Sequence, residues 1–311
     1  MTQAYPPFPL ANRVLSLEGW GDPFRAYDRL GAETKEGLLE LLPEGWSFEG
    51  KRALDFGCGA GRTLRHFLAE AESCEIWGAD VDARSIEWLD ANLCPPLHAL
   101  RCAPAPPLEL ETASFDLIWA ISVFTHLTDQ SCAWLAELHR LLKPGGLLMA
   151  SYTGRWSSEL LAGEPWEEDR IGMNVLRRDQ GWDEGGPMVL MSDWWVREHW
   201  GRAFDFVSVA PQVHGQTWPL LRKREVTISA ADLAEPSADP RELIALRHNV
   251  EQLQRENRSL RIEFESSLSW RLTAPFRRLA GRLRAARRSW APRARRARRQ
   301  ARRPPDRSRP G

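Results

Sequence analysis

LDFGCGAGR, residues 54–62, decides the fold. It sets Gly57, Gly59 and Gly61 directly after the apolar run Arg52–Phe56 and directly before the amphipathic stretch Thr63–Ala71. Strand, glycine turn, helix is the order in which an open α/β sheet presents a ligand at the carboxyl end of a strand. Glycines there let the backbone turn sharply and approach a bound group closely. The spacing is GxGxG behind an acid, Asp55, and differs from the GxGxxG that seats a pyrophosphate. A second apolar run, Glu75–Ala79, ends in Asp80, 19 residues after Gly61. An acid at that strand end accepts the hydroxyls of a ribose, so the pair describes a nucleoside cofactor without a diphosphate.

Outward from this stretch the chain keeps alternating. Ser85–Leu93 reads as the helix after the second strand, and Leu97–Cys102 as a third strand bounded by prolines at 95, 96, 104, 106 and 107. Phe115–Val123 is a nearly continuous apolar run, which suits a strand covered on both faces. Ser131–Leu142 has a helical apolar period, Lys143-Pro-Gly-Gly ends it, and Leu147–Tyr152 is the next strand. Residues 153–195 lack periodicity and read as a substrate loop or lid with short helices. Phe204–Ala210 and Thr217–Leu221 read as two closing strands. Repeated strand–helix units predict an α/β fold with a mostly parallel sheet and right-handed crossovers. The expected organisation is a helical cap at 1–50, a catalytic domain at 51–228, a linker at 229–240, a coiled coil at 241–265 and an Arg-rich amphipathic tail at 266–311.

Four segments in order carry a resemblance to a known family. LDFGCGAGR (54–62), GADVD (78–82), SFDLIWAISVFTHL (114–127) and ELHRLLKPGGLLMAS (137–151) resemble the first, second-strand, fourth-strand and fifth-strand motifs of class I S-adenosylmethionine-dependent methyltransferases. The resemblance covers about 51–224 and implies a Rossmann-like sheet of seven strands with S-adenosyl-L-methionine across the carboxyl ends of the first strands. Carried over by position, Asp55 and the backbone of Gly57, Cys58, Gly59 and Gly61 hold the methionine portion, Asp80 the ribose, and Val81 packs on the adenine. Many members place an acid at the end of the third strand for the adenine amine. This sequence has Arg101-Cys102-Ala103 there, which leaves the adenine to the backbone near Cys102 and Ala103.

Methyl transfer is a displacement at a sulfonium carbon, so the protein aligns and desolvates the reactants. An oxygen nucleophile also loses a proton, and a histidine of near-neutral pKa is the usual acceptor. His126, in SVFTHL just past the fourth strand, is the candidate base, with packing or helix capping as its other reading; His199 and His214 are further histidines that could approach the cleft. No histidine joins carboxylates at metal-ligand spacing, so no metal is expected. Trp156, Trp166, Trp182, Trp194, Trp195 and Trp200 crowd the lid region, either as core packing or as stacking faces for sugars or bases.

Charge divides the chain in two. The 311 residues hold 42 basic and 42 acidic side chains, yet residues 271–311 contain sixteen arginines, no lysine and one acid, Asp306. Such a tail seeks an acidic partner, a membrane surface or nucleic acid. Phe276, Leu279, Leu283 and Trp290 fall on one helical face among the arginines, which favours an anionic lipid interface. Leu243, Leu246, Val250, Leu253, Asn257, Leu260 and Phe264 keep a heptad period, predicting a parallel homodimer in which Glu242 and Glu256 meet Arg247 and Arg261 of a second copy. The alternative is a lone helix packed on its own domain. Five scattered cysteines, no apolar run of membrane-spanning length and no export signal point to a cytoplasmic protein, peripheral on the inner face of the membrane.

SLSWRLTAPFRRL (267–279) resembles the SxSWRxTxP element near the carboxyl ends of bacterial polysaccharide glycosyltransferases and their associated methyltransferases, and SVFTHL resembles the methyltransferase branch that accompanies them. The implied acceptor is a hydroxyl of a surface-glycan sugar. A small metabolite, RNA, or a non-catalytic scaffold in a glycan-assembly complex are the other readings.

Overall fold

A computed structural model describes residues 5–7, 21–163, 165–178, 180–181, 186–270 and 272–273. The chain divides into two compact units, Met1–Asn249 and Val250–Gly311.

In the first unit, α1 (Pro23–Leu41) begins where Asp22 accepts the N–H groups of Phe24 and Arg25, with proline at the first helical position. Strands β1 (Arg52–Phe56), β2 (Glu75–Asp80), β3 (His98–Arg101), β4 (Phe115–Ala120), β5 (Leu142–Ala150), β8 (Phe204–Val213) and β9 (Gln216–Lys223) form one sheet in the order β3-β2-β1-β4-β5-β9-β8. The first five run parallel, and β9 is antiparallel to both its neighbours. This is the expected Rossmann-like, seven-stranded, mostly parallel sheet. Alternate residues feed two cores: Leu54, Ile118 and Leu148 face Trp134 and Leu138, while Ala53, Leu117 and Met149 face Phe67 and Leu89. Helix α2 (Ala83–Leu93), capped by Asp82 on the Ser85 N–H, supplies Leu89, and α3 (Ser131–Leu141) supplies Trp134 and Leu138.

Several expected elements take another form. Thr63–Ala71 is not an α-helix but two 3₁₀ turns, Leu64–Phe67 and Glu70–Glu72. Here α1 presses close: a Cβ on Gly31 would sit 2.1 Å from the Arg62 carbonyl oxygen, and Lys35 Nζ donates to the His66 carbonyl at 2.7 Å. Strand β4 stops at Ala120, short of Val123, because Ser122 turns the chain at φ 63°. Strand β5 starts at Leu142 without a break; residues 143–146 bulge out of register, with Gly145 at φ 71°.

The stretch 153–195 holds a two-stranded hairpin rather than short helices alone. After a π-helical turn at Ser157–Ala162 come β6 (Met173–Leu176), β7 (Met188–Met191) and the start of α4 (Asp193–Trp200), capped by Ser192. Residues 229–240 contain α5 (Ala230–Ala234), which opens with a reciprocal Ser229/Asp232 capping box and buries Leu233. Helix α6 (Pro240–Ser266) follows. Its first turns pack through Glu242 and Ala245, and Glu242 Oε2 lies 3.0 Å from His199 Nε2. That corrects the expectation that Glu242 meets Arg247 of a second copy: its carboxylate is buried and already paired. Leu243, Leu246, Val250, Leu253, Leu260 and Phe264 are exposed. In the second unit Asn257 Nδ2 donates to the Leu253 carbonyl, Arg261 pairs with Glu265, and Phe264 packs on Trp270. Most of the predicted amphipathic tail, from residue 274 on, lies outside the described residues, as do residues 1–4 and 8–20 of the predicted cap.

Candidate cofactor and acceptor site

The turn after β1 is held in left-handed backbone at all three glycines, with φ of 83°, 53° and 77° at Gly57, Gly59 and Gly61. Their surroundings differ. A Cβ on Gly57 would lie 2.3 Å from Val123 Cγ2, and one on Gly61 would lie 2.7 Å from Leu89 Cδ1, whereas Gly59 has nothing within 4 Å. Gly57 and Gly61 are therefore closed by packing, and Gly59 is the position where the loop meets open space. The Gly57 and Cys58 N–H groups donate to the Ala79 carbonyl, and Tyr27 Oη of α1 donates to the Ala60 carbonyl.

Asp80, half-buried at the end of β2, is built into this turn. Its Oδ2 accepts the Gly59 N–H at 2.7 Å and its Oδ1 accepts the Asp82 N–H at 2.8 Å. Burial raises its pKa, and these backbone donors pull it back. Each oxygen keeps a lone pair for a further donor. Asp55 is buried next to the turn, where loss of hydration pushes its pKa up to about 7 and the Arg62 guanidinium moderates the shift. Val81 is exposed beyond β2. Cys102 donates its N–H to the Asp80 carbonyl and Ala103 is exposed beside it; burial lifts the Cys102 thiol to about 11. Cys58 is placed differently: its sulfur is buried in the core, 2.8 Å from where a Cβ on Gly78 would stand, and burial raises its pKa.

Beyond β4 the turn Val123–His126 is closed by the His126 N–H on the Val123 carbonyl. The His126 side chain donates from Nδ1 to the Pro187 carbonyl at 2.9 Å, which leaves the Nε2 lone pair available. Burial lowers the His126 pKa, so the neutral imidazole prevails. The β6–β7 hairpin supplies that carbonyl. It is docked by the Val189 N–H on the Thr125 carbonyl, the Thr153 hydroxyl on the Val189 carbonyl, and the Met191 N–H on the Thr153 carbonyl.

The other histidines stand elsewhere. His199 is buried, bonded at Nδ1 to the Leu233 carbonyl and at Nε2 to Glu242, and stacked on Trp195, so it belongs to a structural clamp rather than to the cleft. His214 lies in the β8–β9 turn near Trp218. Of the lid tryptophans, Trp166, Trp194, Trp195 and Trp200 are buried and pack, Trp182 lies outside the described residues, and Trp156 is 37% exposed. Among the described residues no cluster of three or more metal-ligating side chains occurs, and no helix is long and apolar enough to cross a membrane.

Sequence reasoning missed Val123 as the neighbour that closes Gly57, the hairpin carbonyl that orients His126, and a cluster of Ser122, Ser151 and Gln216. Ser151 follows the end of β5 and Gln216 begins β9, so only the sheet order brings them together.

Residues 54–148 match a protein family described as a methyltransferase domain. An O-methyltransferase of Pyrenophora dematioidea is 31% identical over 42% of this chain and 49% of its own length. The tRNA N(3)-methylcytidine methyltransferase of Schizosaccharomyces pombe is 34% identical over 38% and 41%. A ubiquinone biosynthesis O-methyltransferase of Cereibacter sphaeroides is 34% identical over 41% and 49%. The chain thus spans about half or less of these relatives' lengths. In three dimensions it is similar in fold to a solved Pyrococcus horikoshii protein, at TM-score 0.51 and 17% identity, over 70% of this chain and 96% of that one.

Proposed function

With residues 54–148 an S-adenosyl-L-methionine-dependent methyltransferase domain, we propose that the whole chain methylates a hydroxyl oxygen of a sugar in a bacterial surface glycan. The observation that carries the reading is the Gly59–Asp80 unit, an open glycine cradle bonded to an acid with lone pairs to spare. These residues fit a nucleoside joined to an amino acid. Asp80 would take the ribose hydroxyls, Val81 would pack on the adenine, Cys102 and Ala103 would border its edge, and Asp55 would hold the cationic methionine end. S-adenosyl-L-methionine, when bound, supplies a methyl carbon activated by a sulfonium. His126 Nε2 would receive the proton that the acceptor hydroxyl gives up.

The glycan acceptor is supported by the SVFTHL and SLSWRLTAP resemblances. The arginine-rich stretch holds the enzyme on the anionic inner face of the membrane, and the exposed heptad residues of α6 pair with a second copy. A second reading, RNA methylation, is favoured by the same arginines and by the likeness to a tRNA methyltransferase. Incubation with methyl-labelled cofactor and separated lipid-linked glycan, small-metabolite and total RNA fractions tests the reading. Label in the glycan fraction upholds it, label in RNA alone replaces it with the second reading, and no label in any fraction refutes transfer.

A further inference from the structure

Ser122, Ser151 and Gln216 close a ring of hydrogen bonds across the carboxyl ends of β4 and β5 and the start of β9. The Ser122 N–H donates to Ser151 Oγ at 2.7 Å, the Ser151 hydroxyl donates to Gln216 Oε1 at 2.6 Å, and Gln216 Nε2 donates to Ser122 Oγ. The direction of the ring follows from its members. Ser151 is fully buried, and a ring run the other way would strand its hydrogen, so that hydrogen goes to the amide oxygen and the amide nitrogen turns toward the half-buried Ser122. One hydrogen of the ring is left over, that of the Ser122 hydroxyl, and no acceptor for it is present among the described residues.

Ser122 holds this place at φ 63°, a conformation that L residues other than Asn and Asp rarely adopt and that persists where surrounding contacts over-determine it. The next residue, Val123, closes on Gly57, and the same turn carries His126. The donor therefore adjoins, in the chain, the residue that packs on Gly57 and lies four residues before the candidate base.

A second feature adjoins it. Gly215, next to Gln216 in the chain, has φ 76°, and a Cβ there would sit 2.3 Å from the Trp156 ring. Ser157 Oγ donates to the Gly215 carbonyl at 2.9 Å, holding the tryptophan segment against this turn. Trp156 thus rests on bare backbone and keeps part of its ring exposed, unlike its buried neighbours. A supported aromatic ring with an accessible face suits stacking on another ring.

We infer that the Ser122 hydroxyl and the Trp156 ring form an acceptor subsite that takes a ring bearing hydroxyl oxygens, the tryptophan stacking on the ring and Ser122 donating to one of its oxygens. Ser151 and Gln216 are positioning residues that aim the hydroxyl. The inference rests on the proposed methyl transfer only for its name as an acceptor site; binding tests it directly.

The probe is phenyl β-D-glucopyranoside, titrated by saturation-transfer NMR into the full chain with and without saturating S-adenosyl-L-homocysteine. Saturable binding is expected, weakened about fivefold or more by Ser122→Gly and by Trp156→Ala, as for loss of one hydrogen bond or one stacked ring. Ser122→Gly keeps the left-handed backbone, so its thermal unfolding should match that of the wild type. Ser122→Asn, which tolerates that backbone and restores a donor, should recover most of the binding. S-adenosyl-L-homocysteine affinity should stay constant in all three. No saturable binding to the wild type, unchanged binding in Ser122→Gly, or a parallel loss of S-adenosyl-L-homocysteine affinity overturns the proposal. Failure of S-adenosyl-L-homocysteine to bind the wild type refutes the cofactor reading instead, and the titration without it still decides the subsite.

Discussion

Asp80 Oδ2 accepts the Gly59 N–H at 2.7 Å, so the acid that ends the second strand and the middle glycine of the first turn form one unit. Asp80 shapes the cradle as well as lining it. Asp80→Ala should weaken S-adenosyl-L-methionine binding more than tenfold, since charged hydrogen bonds are each worth roughly 1.5–3 kcal/mol and the cradle loses its anchor too. Titration calorimetry on the folded variant checks this; unchanged affinity would remove Asp80 from the site.

The glycines of the turn should separate by experiment. Gly57→Ala meets Val123 at 2.3 Å and also the left-handed penalty, so it should lower the melting temperature and the yield of folded protein. Gly59→Ala meets no protein atom and bears only the backbone cost of about 1–2 kcal/mol, yet its methyl would fill the open space proposed for the cofactor. It should melt closer to the wild type while losing cofactor affinity. Equal affinity loss at equal stability in both variants would contradict this division.

Burial holds Asp55 at about 7, above the ordinary carboxyl range, so the unliganded fold takes up a proton there. The stability contributed by that uptake is complete below the ordinary aspartate value of about 4 and is lost as pH rises through 7. Asp55→Asn should flatten this fall in melting temperature measured from pH 5 to pH 8. Because a cationic amine favours the carboxylate, cofactor affinity in the wild type should be weaker at pH 6 than at pH 8. Calorimetry in buffers of different ionisation heat should register proton release below pH 7, and Asp55→Asn should abolish it.

His126→Ala should reduce turnover by about 10²–10⁴ with little change in cofactor affinity, the signature of a base that acts on the acceptor. Since burial lowers the His126 pKa, the acid limb of the rate profile should fall below the ordinary histidine range of about 6.5. Equal losses in rate and cofactor binding would make His126 a packing residue.

Leu253 and Leu260 are exposed on one face of α6. If α6 pairs two copies as proposed, the full chain should sediment as a dimer, and Leu253→Glu together with Leu260→Glu should make it a monomer with its helix and sheet content retained by circular dichroism. A wild-type monomer at micromolar concentration would refute the pairing.

The sequence by itself determined the sheet and named the candidates for the cofactor half of the site. Short apolar runs, a glycine turn and an acid at a strand end are local signals, because neighbouring residues in the chain are neighbours at the carboxyl edge. The juxtaposition of Gly59 and Asp80, with Asp55 buried next to the turn, was legible for that reason. Only the tertiary structure decided what depends on contacts between distant segments. Close packing of α1 through Gly31 accompanies 3₁₀ turns at Leu64–Phe67 in place of a helix, and the buried His199–Glu242 pair ties the root of α6 to α4. The proposed acceptor side is of the same kind. Ser122, Ser151 and Gln216 meet only because β9 inserts beside β5, and His126 is oriented by a carbonyl 61 residues away, a placement with no local periodicity to announce it.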